Sequence, residues 1–404
     1  MTPTDILIIA SRALAAAETL GNARCINLAT QLDLAGFNVT LALPNPEIVP
    51  PMHFRVTASD AETMETLIRR HDTIISTGQE YTARQISKAD HLQIFDVAEY
   101  RFDQLAEMDA GLQERLAFIF ESADLILCGN LHQRDLWLGL ACSRGAFGGE
   151  TAQGRNPLEW FAVVPYGHPG HVPAHDESSS NGFHKNGKGL VWNGGYDELM
   201  DYPSAISAAV QLCQAGRETH ITFLPPELDT PPQRAGWENA RALADELDPR
   251  DAVAVRFASE DLNPYQRWHL ISSATGVICC TKDAPDARFW PAPPLAEAVW
   301  LQVPVVCTRG SFMAFLAEEL DFGLCCSPGD EEELALKIAR LDDMSVQRTL
   351  KGNLAEVHSH FAWDKAVRPL LQFLQRPPQS LDKLTEPSST WGRSVWRAVG
   401  RLFE

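Results

Sequence analysis

The chain has 404 residues, 45% of them hydrophobic and 22% charged, with a formal net charge of −19. That length exceeds what one compact core accommodates, so two or more domains are expected. The acidic balance excludes a general nucleic-acid surface, which needs a basic face, but leaves room for a small anion pocket built from a few arginines and helix N-termini.

Ile6-Leu7-Ile8-Ile9 is a fully apolar strand of the kind buried in parallel sheets. A glycine loop, Gly21-Asn22-Ala23-Arg24, leads into a helix reaching Leu34, on which Cys25, Leu28, Ala29 and Leu32 share one face. Gly36 ends that helix and Val39 to Leu43 forms the next strand, completing a βαβ unit. Further apolar runs at Thr73 to Ile75, Leu92 to Phe95, Leu125 to Cys128 and Phe161 to Val164 alternate with helical patterns, including a long one from Phe102 to Ala123. This alternation predicts a doubly wound α/β domain over residues 1–170. Residues 171–189 are rich in Ser, Gly and Asn and read as a linker.

A second alternation begins at residue 190. Its predicted strands are Leu190 to Trp192, Ile221 to Leu224, Val253 to Val255, Val277 to Cys280 and Pro304 to Cys307. Helices are expected at Asp201 to Gln214, Trp237 to Leu247, Pro264 to Ala274 and Phe312 to Leu320. The second Rossmann-like domain is thus placed at 190–345, and C-terminal helices at 346–376, with Trp363 to Leu374 as the last, are expected to cross back to the first domain. Beyond a Pro-rich break, residues 377–404 end in a helical pattern with Trp391, Val395, Trp396, Val399, Leu402 and Phe403 on one face and Arg393, Arg397 and Arg401 opposite. A basic amphipathic helix with tryptophans suits an anionic membrane surface; packing against its own protein is the alternative.

Nine cysteines, most inside apolar runs and without CxxC spacing, read as buried small side chains in a reducing compartment rather than as a metal site. With no basic leader and no apolar run of membrane-spanning length, the expected localisation is cytoplasmic, peripheral on the inner membrane face if the tail binds lipid.

Two segments carry chemistry on their own residues. Trp192-Asn193-Gly194-Gly195 ends a buried strand in glycines ahead of a helix, leaving backbone N–H groups able to hold a diphosphate. Glu297 stands as an isolated acid among Leu295, Ala296, Ala298, Val299 and Trp300 on a short helix.

In order along the chain, Glu297-Ala298, Val303-Pro304-Val305-Val306, Gly310, Gly323 and Pro328-Gly329-Asp330 resemble the "EAxxxGxPVVxxxxG … GxxxxPGD" pattern of GT-B glycosyltransferases of the family-4 type, with Gln302 in place of the pattern's first glycine and Phe289 in place of its first acid. Asn193 to Ala205 resembles the "GGxWDWxDP" segment of a bacterial cell-surface polysaccharide subgroup, matching at Gly194, Gly195 and Asp201. Phe95-Asp96-Val97, the run from Asn130 to Gly139 and the run from Val163 to His168 resemble the subgroup's "vDlydP", "RQRDxWLG" and "vvPyG" segments.

The resemblance implies two Rossmann-like domains facing a cleft. It implies a retaining, metal-independent transfer of sugar from a nucleotide-diphosphate donor, with no cofactor, to a glycan or lipid-linked acceptor in cell-surface polysaccharide synthesis. Donor-side residues would be Asn193, Gly194, Gly195, Asp201, Arg288, Glu297, Gly310 and Ser311, the Glu297 carboxylate accepting both ribose hydroxyls. Arg24, Asp96 and Arg288 would take catalytic roles, and Gly21, Asn22, His132, Gln133 and Arg134 would line the acceptor side. The family's donor-side Arg and Lys are not at their usual spacing after Gly195. Arg256, Arg267, Arg288 and Arg309 are the substitutes, with Arg288 favoured. Two alternatives remain: a catalytically inactive GT-B-like subunit that binds glycan or partners, and a nucleotide-sugar epimerase, for which no convincing cluster of acids and histidines is found. A dinucleotide oxidoreductase is disfavoured because no GxGxxG follows a strand.

Overall fold

The computed structural model describes residues 5–10, 12–14, 23–77, 91–107, 109–147, 156–170, 189–226, 230–248 and 254–375. Gly21, Asn22, nearly all of the expected linker and the whole tail from 377 lie outside these. The chain divides into two units: the first holds the residues up to Tyr166, Phe289–Pro291 and the segment from Trp363, and the second holds Gly167–Arg288 and Ala292–Ala362.

In the first unit the elements are β1 (Asp5–Ala10), α1 (Arg24–Leu34), β2 (Asn38–Leu43), β3 (Arg55–Ala58), α2 (Ala61–Arg70), β4 (Thr73–Thr77), β5 (Leu92–Asp96), α3 (Phe102–Ala106), α4 (Ala110–Ser122), β6 (Leu125–Cys128), α5 (Leu131–Ser143) and β7 (Phe161–Val163). The sheet runs β3-β2-β1-β4-β5-β6-β7 and every pairing is parallel. Such a sheet is covered on both faces, and β1 shows why its residues are all apolar. Ile6, Ile8 and Ala10 join the core under α1, while Leu7 and Ile9 join the opposite core with Met64, Leu67 and Ile68 of α2.

The second unit contains β8 (Gly189–Trp192), α6 (Tyr202–Gln214), β9 (His220–Phe223), α7 (Pro231–Leu247), β10 (Val255–Phe257), α8 (Pro264–Ser272), β11 (Gly276–Cys279), α9 (Pro285–Phe289, its last residue grouped with the first unit), α10 (Pro293–Trp300), β12 (Val305–Thr308), α11 (Phe312–Glu319), β13 (Gly323–Cys326), α12 (Glu331–Arg340) and α13 (Met344–His358). Its sheet is again all parallel, β10-β9-β8-β11-β12-β13. Both sheets therefore reverse direction beside their first strand, and the groove at that reversal, outside the strands' carboxyl ends, is where open α/β sheets bind ligands. The chain re-enters the first unit through α14 (Trp363–Ala366) and α15 (Arg368–Gln375); Trp363, Leu370 and Leu374 on them, with Val367 between, share the α1-side core.

Several elements differ from expectation for identifiable reasons. The long helix from Phe102 splits because Asp109 caps a new one, its carboxylate accepting from Leu112 N–H at 2.6 Å. Helix α7 starts at Pro231, two turns ahead of the expected Trp237, since prolines in the first turn lose no intrahelical bond. The final helix breaks after Ala366, ahead of Pro369. Strand β3 is a part-exposed edge strand without the apolar run that marks the others, and β13, the other unforeseen strand, also lies at a sheet edge.

Gln302 stands where the resembling pattern has glycine and takes φ = 55°, a left-handed conformation that glycine adopts without a Cβ penalty. Gln302→Gly is therefore expected to stabilise the protein by about 1 kcal/mol, raising the melting temperature by about 2–4 °C in a calorimetric scan; an unchanged or lower midpoint would show that this turn is not strained.

Candidate functional site

At the carboxyl end of β8, Asn193 leaves the sheet with its N–H on Ile278 O at 3.0 Å. Its side chain is 3% exposed, and Nδ2 donates to Glu297 Oε2 at 2.7 Å while Oδ1 accepts from Arg267. Arg267 also lies 3.4 Å from Glu297 Oε2. Glu297 is 5% exposed, and its second oxygen, Oε1, is buried without a hydrogen-bond partner. Leaving a buried carboxylate oxygen unfilled costs about 1–3 kcal/mol, a cost removed when a hydroxyl or water donates to it. The carboxylate thus offers one acceptor atom rather than the expected two, because Asn193 and Arg267 already occupy the other.

Beside this cluster Gly194 and Gly195 form a bare turn. A Cβ on Gly194 would stand 2.7 Å from the Trp192 ring, and Gly195 has φ = 77°, so neither position takes a side chain without strain. Trp192 Nε1 donates to Gly195 O at 3.0 Å and Gln233 Oε1 accepts from Tyr196 N–H at 2.8 Å, which fixes the loop on both sides.

The arginine at Glu297 is Arg267, not Arg288, which is exposed near the end of α9. Asn263 and Gln266 form a reciprocal capping box that starts α8 and sets Arg267 in its first full turn, a signal for the helix start but not for the contact with Glu297. Two other donor-side candidates have structural duties. Asp201 caps α6, and Ser311 caps α11 while donating to Thr308 O at 2.8 Å. Gly310 takes φ = 88° in the turn before Ser311. Arg256 lies with Nη1 3.3 Å from His220 Nε2. Arg309 is spent on Glu318 and Glu333 at 3.3 and 3.0 Å and on Cys325 O.

In the first unit Arg24 begins α1 and is 3% exposed; its Nε donates to Asp96 Oδ2 at 2.6 Å, at the end of β5. Burial works against the guanidinium charge, yet the Asp96 carboxylate, with Tyr166 and Glu99 behind it, holds its pKa above the ordinary value. Nη1 and Nη2 are buried with no partner, and the guanidinium carbon sits 5.2 Å from the Tyr166 ring centroid. A concavity lined by Ala10, Arg12, Leu14, Arg24, Cys25, Thr77, Asp96 and Glu99 opens here, at the carboxyl ends of β1, β4 and β5.

Of the remaining first-unit candidates, Gln133 is committed to backbone, accepting from Gly129 N–H at 2.6 Å and donating to Val97 O and Ala98 O. Arg134 pairs with Asp135 at 2.7 Å, and His132 is half-buried on α5. Asn130, which opens the run resembling the subgroup but was not among the expected site residues, caps α5 and donates to Phe289 O and Trp290 O. Among the described residues no three His, Cys, Asp or Glu side chains form a metal-ligand set, and no helix is long and apolar enough to cross a membrane.

No protein-family profile matches the sequence, and no curated protein matches it. Solved structures do. A trehalose-phosphate synthase (UDP-forming) from Burkholderia vietnamiensis superposes with a TM-score of 0.69 at 14% identity, over 92% of this chain and 98% of that one. A glycosyltransferase from Rickettsia africae gives 0.65 at 10% identity, over 95% and 100%. Anabaena HepE, solved in complex with UDP-glucose, gives 0.62 at 13%, over 91% and 99%. The fold is GT-B. Each GT-B unit here carries a buried arginine–carboxylate contact at the carboxyl edge of its sheet, Arg24–Asp96 and Arg267–Glu297.

Glu333 ties the Pro328-Gly329 turn of this GT-B chain. Ser327 N–H at 2.7 Å does most to hold its carboxyl down, at about 2 against an ordinary 4.5; burial opposes this, and the Ser327 hydroxyl and Arg309 add to it. A depressed carboxyl contributes stability above its unfolded pKa and loses it as pH falls through the folded one. Relative to Glu333→Gln, the wild type is expected to lose its stability advantage between pH 4.5 and about 2, measured by urea unfolding; a pH-independent difference would contradict this.

Proposed function

We propose that the chain is a retaining, metal-independent glycosyltransferase that moves a sugar from a nucleotide-diphosphate sugar to a glycan or lipid-linked acceptor. The observation that carries this reading is the unfilled Glu297 Oε1, held in place by Asn193 and Arg267 beside the Gly194-Gly195 turn of a GT-B fold. A ribose hydroxyl donating to Oε1 would satisfy the orphaned acceptor. The glycine turn would receive the diphosphate, whose charge builds as the sugar departs, and backbone N–H groups suit that charge. The solved complexes of Anabaena HepE with UDP-glucose and with UDP support a nucleotide-sugar as the ligand class. A role in cell-surface polysaccharide synthesis, with Asp96 and Arg24 at the acceptor, belongs to the same proposal.

A second reading, a catalytically inactive GT-B-like subunit that binds glycan or partners, draws on Arg267: it is engaged with Glu297 and Asn193. Turnover separates the two readings.

Calorimetric titration against UDP, GDP, ADP, TDP and their sugars is expected to find one saturable nucleotide-sugar, and Glu297→Gln is expected to weaken it about tenfold or more while the fold is kept. Glutamine is a better probe than alanine because Asn193 and Arg267 retain a partner atom. Silence across the whole panel would sink the donor-site reading, and binding with no glycosyl transfer to any acceptor would favour the second.

The basic tail, residues 391–404, is proposed to bring the enzyme to an anionic membrane surface. Removing it should abolish co-sedimentation with phosphatidylglycerol vesicles at physiological salt; equal sedimentation with and without the tail would refute the idea.

A further inference from the structure

The concavity at the carboxyl ends of β1, β4 and β5 combines unmet donors with a balanced charge. Arg24 Nη1 and Nη2 are buried and unpartnered, an unusual state for a guanidinium fork whose two edges match a pair of ligand oxygens. Its charge, however, is already answered by Asp96 at 2.6 Å. Arg12, the other cation of the lining, is 3.3 Å from Glu99, whose carboxylate also accepts from the Tyr166 hydroxyl at 3.5 Å. Among the described residues of the lining, two arginines against two carboxylates balance to neutral. A phosphate or carboxylate entering here would bring an uncompensated charge into a buried place beside two like charges. Hydroxyl groups would bring none. A hydroxyl reaching the fork would accept from it and donate to the Glu99 or Asp96 carboxylate, and Tyr166 supplies an aromatic ring beside the fork.

Resting on the glycosyl-transfer reading, we infer that this socket binds the hydroxyl groups of an uncharged sugar, so that the acceptor presents a neutral glycose rather than a phosphorylated or uronic one. The neighbouring β5 end places Asp96 where one oxygen is fixed by Arg24 and the other by Ala98 N–H at 3.2 Å, so the carboxylate is held in a single orientation for that contact.

The test uses the full chain and two ligand sets: methyl glycosides of glucose, galactose, mannose and N-acetylglucosamine on one side, and glucose 6-phosphate, glucuronate and inorganic phosphate on the other. Saturation-transfer NMR and calorimetry should show at least one methyl glycoside binding saturably, with an affinity that changes less than about twofold between low and high salt. The double variant Arg24→Gln/Asp96→Asn keeps the socket neutral while removing the fork, and should weaken that glycoside about tenfold. If it fails to fold, Arg24→Lys, which keeps the charge without the fork, should do the same. Tighter, salt-sensitive binding of the phosphorylated or uronic sugar overturns the inference. So does the absence of any glycoside binding, or binding indifferent to both variants. Nucleotide-sugar binding is followed on the same samples: its absence with glycoside binding retained would count against the glycosyl-transfer reading and leave the socket standing.

Discussion

A guanidinium taken out of water must meet an oxygen, and in each unit that requirement fixes the carboxyl edge of the sheet. Removing one partner of such a pair costs about 3–5 kcal/mol, because the other is left buried and charged. Arg24 and Asp96 come from a helix start and a strand end that are 72 residues apart. Their contact therefore depends on the registers of β1, β4 and β5 that set those two ends side by side. Arg267 and Glu297 do the same for the second sheet from two different helices. Each pair also leaves something unused: two nitrogens in the first unit, one carboxylate oxygen in the second. Structure is stabilised by what is paired, and chemistry is available from what is not.

Most of the fold was legible because a parallel sheet buried on both faces demands unbroken apolar strands. Ile6 to Ile9, Leu125 to Cys128 and Val305 to Cys307 carry that signature plainly. The elements that escaped were those under weaker constraint. The part-exposed edge strand β3 needs no apolar run, and β13 pairs on one side alone, at the end of its sheet. Boundaries failed where a cap decides them: Asp109 opens a helix inside a pattern that reads as continuous, since periodicity carries no information about a carboxylate turned back onto its own backbone.

The site was legible in part. Glu297 and Asn193 stood out as an isolated acid and as the residue at a strand's end, and the structure joins them. Arg267 did not, because nothing in linear spacing reports that α8 carries it to Glu297, while Arg288 was attractive only by its place in a motif. Gln133 and Asp201, which match segments of the resemblance, also have duties in folding: a buried amide that holds two loops, and a helix cap.

Trp192 gives the glycine turn a property that glycines alone lack. Two successive glycines would ordinarily sample many conformations, and a ligand would have to select one. Here the indole fills the space beside Gly194, and its N–H holds the Gly195 carbonyl, while the same ring stacks on Phe223 inside the sheet. The turn is thereby preorganised, and little ordering entropy remains to be lost on association. It also means that the hydrophobic core and the carboxyl edge of the sheet share a residue, so a substitution that repacks β8 against β9 is felt at the glycine turn, and the shape of the turn and the stability of the core cannot drift independently there.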